Sequence, residues 1–386
     1  MQPFPLSSRP TGHPWSLEPK VSRKRISRIA LSLITLLSAA SLLSAQTPER
    51  VTLTGSRVGI WNIAGNISVG AGTGRAVEVS VTRRGPDAAK LTLAHGPIGG
   101  RETLRVLYPD GDIVARIRYA DRTQNSDGGN WRTDLTVRDD GTFGGDDYRR
   151  HGERDGHRVR VSTSGSGTEA YADLDVQVPA GQELSIFLAV GQITARNVNG
   201  KILLDTHGAD VTASAMKGDL DIDAGSGDVE VRGMEGPLTI DVGSGDLTLS
   251  DVKGPTLDLD TGSGDVRGTG LAADILKVDT GSGDVQLDGL IAQDVKIDVG
   301  SGDVTLSWTI DPGDVDIDSG SGEIRLTLPA NSGGTVDLES SSGDIESAFD
   351  ITTTHIEHDA LRGTFGDGKG RIGVETGSGD IHLIKR

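Results

Sequence analysis

Pairs of carboxylates five residues apart recur at a glycine-rich corner throughout the second half of the sequence. The corner reads DxGSGD, with one acid before the turn and a second acid directly after its last glycine. Carboxylates at this spacing could bind a hard cation such as Ca²⁺, act as a paired acid and base, or accept hydrogen bonds from backbone amides. The candidate cation ligands are the acids of five successive corners: Asp223, Asp228, Asp241, Asp246, Asp260, Asp265, Asp279, Asp284, Asp298 and Asp303.

Turn chemistry is the interpretation we favour for these acids. Glycine accepts the backbone conformations that a corner needs, and an Asp at a corner accepts hydrogen bonds from amides in an Asx-type turn. Calcium is the alternative, because stacked acids repel one another and few cations are near in sequence: residues 201–345 contain 29 acids and eight Lys or Arg. The spacing nevertheless differs from that of the Ca²⁺-binding nonapeptide repeat, so no cofactor is predicted beyond this calcium hypothesis.

Catalytic chemistry has weaker support in the sequence. A catalytic carboxylate pair should occupy one exceptional place in a scaffold, whereas this pair occurs at every corner, so no catalytic residue is predicted. His355 and His358 are three residues apart with Glu357 between them, in a Thr-rich context. Zinc hydrolases place such histidines four apart on a helix, so we expect an exposed cap or loop here and not a metal site.

The corners repeat at a nearly constant period. The acids before the turn follow one another at steps of 18, 18, 19, 19, 19, 20 and 21 residues and then of 36; they are Asp205, Asp223, Asp241, Asp260, Asp279, Asp298, Asp318, Glu339 and Glu375. Aliphatic residues alternate with polar ones on both sides of each corner, which is typical of two short strands. This pattern predicts an all-β fold, a single-stranded parallel β-solenoid (β-helix-like) with coils of about 19 residues.

Composition changes along the chain predict five segments. Residues 1–45 have basic residues before an apolar run and then small residues, which indicates a signal peptide, with an uncleaved membrane anchor as the alternative. Residues 46–120 are predicted to be N-terminal strands that open the solenoid, and residues 121–168 a polar, mobile insertion with one short strand. Residues 169–345 are the regular coils; residues 346–386 are a closing segment, expected to cover the open edge of the solenoid, and a last coil.

Charge and cysteine content limit the partners. Without the predicted signal peptide the chain has 32 basic and 55 acidic residues, a net charge of −23. Nucleic acids and anionic lipids attract basic surfaces, so we expect neither as a partner, and contact with a membrane only through an uncleaved leader. No cysteine is present, so disulfides do not contribute to stability. The leader predicts export to the periplasm, the cell surface or the medium.

Three parts of the sequence resemble the putative adhesin family, bacterial β-strand-repeat domains of unknown function. They are the GSGD corners, the opening "WNIAGNISV" from Trp61 and the terminal "LRGTFGDGKGRIGVETGSGDIHL" from Leu361. The resemblance implies an exported or envelope-associated solenoid and, by the family name, adhesion. It supplies no catalytic residues.

The sequence therefore favours a non-enzymatic envelope or surface protein. Its acidic solenoid would act as an adhesin-like binding or scaffold module for a surface polymer, an envelope protein or a cation. Two alternatives stay open: a carbohydrate-active β-helix enzyme, and a periplasmic sensing or scaffold module that works with a membrane partner.

Overall fold

The computed structural model describes residues 47–117, 132–144 and 156–386. The predicted signal peptide, residues 1–45, lies outside the described residues, as does much of the predicted polar insertion. The described chain is built from β-strands, with one short 3₁₀ helix at Ala88–Lys90. None of its helices is long and apolar enough to span a membrane.

The strands fall into three groups along the chain. The N-terminal strands are β1 (Glu49–Leu53), β2 (Arg57–Ala71), β3 (Val77–Arg84), β4 (Thr92–Ile98), β5 (Arg101–Leu107), β6 (Ile113–Val114), β7 (Arg132–Val137), β8 (His157–Ser162) and β9 (Tyr171–Val178). The coils are formed by β10 (Gln182–Arg196), β11 (Asn199–Ser214), β12 (Lys217–Ser226), β13 (Val229–Arg232), β14 (Leu238–Ser244), β15 (Leu247–Ser250), β16 (Lys253–Ser263), β17 (Val266–Thr269), β18 (Ala272–Ser282), β19 (Val285–Val299), β20 (Val304–Trp308), β21 (Asp314–Ser319) and β22 (Ile324–Leu328). The C-terminal strands are β23 (Gly334–Ser340), β24 (Ile345–Ser347), β25 (Thr352–Ile356), β26 (Ala360–Phe365), β27 (Gly370–Thr376) and β28 (Ile381–Lys385).

Successive coils pair in parallel, with equivalent residues opposite one another. The strand before each corner pairs with the corresponding strand of the next coil, in the series β11, β12, β14, β16, β18, β19 and β21. The strand after each corner does the same, in the series β11, β13, β15, β17, β19, β20 and β22. The register brings like aliphatic side chains together in the buried core, as in the file Ile202, Leu220, Leu238, Leu257, Leu276, Val295 and Val315.

Antiparallel strands complete both ends of this arrangement. At the N-terminal end β3 lies antiparallel to β1 and β9, and β4 lies antiparallel to β5. At the C-terminal end β26 lies antiparallel to β23, and β25 lies antiparallel to β26. The all-β, solenoid-like prediction is confirmed, but the sheet as a whole is mixed and not wholly parallel.

The last coil does not occupy the place that its position in the sequence suggests. Strand β27 pairs in parallel with both β21 and β23, so that Ile372 lies between Val315 and Val336. Strand β28 likewise lies between β22 and β24. The coil of residues 370–385 is thus inserted between two coils that are consecutive in the chain, and the β25–β26 hairpin covers the outer edge of β23.

A small second sheet, in the order β6-β8-β7, packs on the outer face of the first coils. Leu135, Val137, Phe143, Val159 and Val161 from this region are buried in a second apolar cluster that also contains Trp61 and Phe187. The described parts of the predicted polar insertion, residues 121–168, therefore contribute buried apolar side chains to a packed sheet. Alternation of apolar and polar residues in β7 and β8 provides the buried face.

Each regular coil turns a second corner that lacks a common sequence. One residue per coil adopts a left-handed backbone conformation there: Asn197, Ala215, Gly233, Asp251, Gly270 and Gly289. The amide of each of the first five donates a hydrogen bond to a carbonyl of the next coil, as Ala215 does to Arg232 at 2.8 Å. Hydrogen bonding between coils holds this corner as it does the GSGD corner.

Candidate functional site

The GSGD corner positions two acids on different parts of each coil. The last glycine of the corner has a left-handed backbone, for example Gly264 with φ of 140°. A Cβ atom at Gly264 would lie only 2.0 Å from the carbonyl oxygen of Gly245 in the preceding coil. Only glycine meets both demands, so the corners stack closely and hold the flanking acids in register.

The acids after the turn form a hydrogen-bonded file. The backbone amide of each such residue donates to Oδ1 of the equivalent Asp one coil earlier: Asp246 to Asp228 (3.1 Å), Asp265 to Asp246 (3.0 Å), Asp284 to Asp265 (2.9 Å), Asp303 to Asp284 (2.9 Å) and Glu323 to Asp303 (2.8 Å). The predicted turn chemistry is present, but the donor comes from the neighbouring coil and not from the same turn. We call these residues the corner file.

Hydrogen bonding favours the ionised form of Asp265 in the corner file. The pKa of Asp265 is lowered first by the hydrogen bond from the Asp284 amide. Burial opposes this by a smaller amount, and the hydrogen bond and charge of Arg267 lower the pKa further. The carboxylate of Asp265 therefore stabilises the fold in its charged state.

The acids before the turn form a second file, the strand file, on the outward face. Asp241, Asp260, Asp279, Asp298 and Asp318 lie directly opposite one another on successive strands, and all five are exposed. None of these five side chains forms an ion pair or hydrogen bond with another described residue. Like charges opposite one another on adjacent strands are destabilising, so this file carries unrelieved repulsion.

The pKa of Asp260 shows the effect of this repulsion. Partial burial raises the pKa first, and the neighbouring carboxylates of Asp241, Asp279 and Asp258 raise it further. Asp260 and Asp265 therefore lie in different electrostatic environments although they belong to the same six-residue motif. The structure brings the predicted residues together within each file.

A positively charged side chain lies near one end of the strand file, and a neighbouring backbone segment lies near the other. Toward the C-terminal end, Arg362 forms ion pairs with Asp337 and Glu339. Toward the N-terminal end, the segment that follows β7 approaches Asp205: a Cβ added at Gly144 would lie 3.0 Å from the carboxylate oxygens of Asp205. Lys277 and Lys296 lie in the outward file next to the strand file, and Lys277 is 3.9 Å from the carboxylate of Asp258.

The described residues include no group of three or more His, Asp or Glu arranged to hold a metal ion. The Oδ1 atoms of the corner file already accept backbone hydrogen bonds, which leaves fewer oxygens for a cation. Calcium binding by the ten candidate acids stays a prediction. His355 contacts Glu357 at 3.3 Å, whereas His358 lies 3.9 Å from Asp344, so the two histidines face different carboxylates.

One histidine contact was missed by sequence reasoning. His382 on β28 contacts Glu323 through Nε2 at 2.8 Å and Glu346 through Nδ1 at 3.3 Å. Its position two residues after the GSGD acid places it on the outward face of its strand, which the alternation predicts. The two acidic neighbours follow only from the insertion of the last coil between β22 and β24.

No curated protein matches this chain. The solved structures that match include the "Crystal structure of a putative cell adhesion protein" from Clostridium sporogenes, at 9% sequence identity and a TM-score of 0.20, covering 88% of this chain and 100% of that chain. A TM-score this low does not establish a shared fold. The model of the Toastrack DUF4097 family matches residues 174–384, more than half of the sequence, and the chain belongs to this family.

Proposed function

We propose that the protein is a non-enzymatic, exported envelope or surface protein that works as an adhesin-like binding or scaffold module. Its binding face is the strand file, and its partner is a positively charged stretch of a surface polymer or envelope protein. The observation that carries the proposal is the row of five exposed carboxylates, Asp241 to Asp318, without cationic partners among the described residues.

Electrostatics supports an oppositely charged partner. Partial burial raises the pKa of Asp260 first, and the carboxylates of Asp241 and Asp279 raise it further. A cationic group placed over the file would relieve this repulsion, which exists in the free protein. Regular spacing favours a repetitive partner, because parallel strands place equivalent carboxylates at roughly 4.8 Å intervals. The net charge of −23 in the chain after residue 45 also opposes association with nucleic acid.

The test is binding of a polycation to residues 46–386. We would measure the affinity for poly-L-lysine at several salt concentrations, with neutral dextran as a negative control. One variant replaces the five strand-file acids with Asn. The matched control variant replaces five exposed acids elsewhere with Asn, so that net charge is equal: Asp139, Asp251, Asp274, Asp350 and Asp359.

Loss of binding in the strand-file variant only would support the proposed face. Equal loss in both variants would mean that net charge alone attracts the polycation, and the proposal would fail. Export is tested separately by fractionating bacteria that produce the full chain; an unprocessed protein in the cytoplasm would contradict it. Release of sugars from a polysaccharide substrate would favour the enzymatic alternative.

A further inference from the structure

The last coil is held in a slot between two other coils. We call residues 370–385, strands β27 and β28, the C-terminal coil. Its backbone is hydrogen-bonded on both sides: the Gly377 amide donates to the Ser319 carbonyl at 3.0 Å, and the Ser341 amide donates to the Thr376 carbonyl at 3.0 Å. The slot is thus lined by β21 and β22 on one side and by β23 and β24 on the other.

The slot holds the C-terminal coil through the same kinds of contact that join the regular coils. Ile372 and Val374 continue the aliphatic files of the flanking strands. The Asp344 amide donates to Oδ1 of Asp380 at 2.8 Å, which is the corner-file bond of the regular coils. Contacts of the C-terminal coil therefore depend on strand pairing and register. They do not require that the coil and the slot belong to the same molecule.

A short loop connects the C-terminal coil to the rest of the chain. Strands β26 and β27 lie on opposite sides of β23, and residues 366–369 join them around the end of that strand. Gly366 and Gly368 have left-handed conformations, with φ of 57° and 72°. A Cβ at Gly366 would lie 2.4 Å from the Ser332 carbonyl oxygen, so the turn is tight. Short, tight connections of this kind favour exchange of the connected element between molecules.

An empty slot would be unfavourable. Withdrawal of the C-terminal coil would expose two unpaired strand edges and the core residues beside them, so the slot must close or be filled by another coil. We propose that a second copy of this chain donates its C-terminal coil into the slot, and that the protein thereby forms coil-swapped dimers. The exchanged coil makes the same contacts as before, so the swap needs no new interface chemistry. At low protein concentration each chain fills its own slot. The fraction of swapped dimer increases when folding occurs at high protein concentration.

Cysteine cross-linking tests the proposal, because the chain has no cysteine of its own. Asp316 on β21 lies opposite Gly373 on β27, and a Cβ at Gly373 would lie 3.3 Å from Oδ1 of Asp316. Cysteines at these two positions are therefore within reach of a disulfide. We would prepare D316C and G373C as separate chains with tags of different size, mix them unfolded at high concentration, refold, oxidise and run non-reducing gels.

A covalent heterodimer of the two tagged chains is the expected result, because only a swapped coil brings the thiols of different chains together. The control mixes K277C with K296C, which lie opposite each other on adjacent coils that are continuous in the chain and stay in one molecule after the swap. Each single variant refolded alone measures accidental disulfides.

A heterodimer band no stronger than the control band would overturn the proposal. Circular dichroism shows whether each variant folds. If D316C or G373C does not fold, R325C and H382C replace them, since Arg325 and His382 lie opposite each other on β22 and β28. A several-fold excess of the heterodimer with this second pair would support the swap in the same way, and its absence would reject it.

Discussion

The backbone amide of Asp303 donates a hydrogen bond of 2.9 Å to Oδ1 of Asp284, one coil earlier in the chain. This contact explains why an acid ends each corner: its carboxylate accepts a hydrogen bond from an amide that the turn would otherwise leave to solvent. Because the same bond recurs from Asp210 to Asp303, the corner file works as a structural ladder between coils.

Removal of one acceptor from the ladder should destabilise the fold. We expect Asp284→Ala to lower the free energy of unfolding by about 1 kcal/mol, because the Asp303 amide loses its partner. Urea unfolding followed by circular dichroism measures this loss. Asp279→Ala is the matched control in the same coil: it removes a charge of the same sign from the strand file and should cause no loss. Equal losses in the two variants would contradict the distinction between the files.

Neutralising the strand file should have the opposite effect. Burial and the carboxylates of Asp241 and Asp279 raise the pKa of Asp260 in the folded state, so its ionised form disfavours folding. Asp260→Asn should therefore increase the free energy of unfolding near pH 7. As pH falls through the raised pKa, Asp260 protonates in the folded state first, and the advantage of the variant should disappear below the unfolded-state pKa.

The matched comparison for pH is Asp265, whose pKa is lowered by the Asp284 amide and Arg267. The stability that its carboxylate supplies is present above the unfolded-state pKa and is lost as pH falls through the lowered folded-state pKa. Urea unfolding near pH 7 should show a higher free energy of unfolding for Asp260→Asn and a lower one for Asp265→Asn than for the wild type. Both differences should be smaller at about pH 4. The same sign in both variants would show that their electrostatic environments do not differ as described.

Divalent cations provide a third prediction. The described carboxylates form no convergent metal-binding group, and the corner-file Oδ1 atoms are already hydrogen-bond acceptors. We expect Ca²⁺, Mg²⁺ and NaCl at matched ionic strength to raise the melting temperature equally, by screening repulsion within the strand file. Thermal unfolding in chelator and in each salt is the measurement. A rise specific to calcium, lost in Asp260→Asn, would establish the calcium hypothesis in place of screening.

The sequence predicted the aliphatic files because equivalent residues are conspicuous at a regular period, as with Leu257 and Leu276. It did not reveal the second corner, because residues as different as Asn197, Ala215 and Gly233 occupy the same left-handed position. Sequence spacing also shows how long a coil is but not which coil lies beside it. The position of the C-terminal coil between β21 and β23 could therefore not be predicted from the sequence. The small sheet was missed because charged residues dominate its surroundings in the sequence.

The second corner offers a direct test of backbone strain. Ala215 has φ of 52°, a conformation that costs an L-residue about 1 kcal/mol or more and glycine little. Because glycine also loses more entropy on folding, Ala215→Gly should increase stability by a few tenths to about 1 kcal/mol. The reverse change at the equivalent position, Gly270→Ala, should decrease it, since φ there is 65°. Chemical unfolding of both variants checks the signs.

The first corner should tolerate alanine much less well. Gly264→Ala adds a Cβ only 2.0 Å from the Gly245 carbonyl, whereas the Cβ of Gly270→Ala would have no atom nearer than 3.2 Å. We expect Gly264→Ala to destabilise the protein more than Gly270→Ala does. Similar effects at the two positions would mean that the corners are not packed against one another as the structure has them.

Two buried tryptophans allow the attachment of the small sheet to be measured. Trp61 stacks on Phe187 with ring centroids 4.4 Å apart, and its Nε1 donates a hydrogen bond to the Phe143 carbonyl at 2.9 Å. Trp61→Phe removes this donor and leaves the carbonyl unpaired, which typically costs about 1–3 kcal/mol. The Nε1 atom of Trp308 has no hydrogen-bond partner among the described residues. Trp308→Phe therefore reduces the side-chain volume without leaving a hydrogen-bond acceptor unpaired.

The loss in Trp61→Phe should be local, because the hydrogen bond links β2 to Phe143, in the segment that follows β7 of the small sheet. Hydrogen exchange should therefore accelerate in residues 132–144 and 157–162 and remain unchanged in β12–β18. In Trp308→Phe, exchange in the small sheet should match that of the wild type, whatever the change in global stability. Acceleration in the small sheet of both variants would show that this sheet responds to the stability of the coils as a whole, and not to the single contact between Trp61 and Phe143.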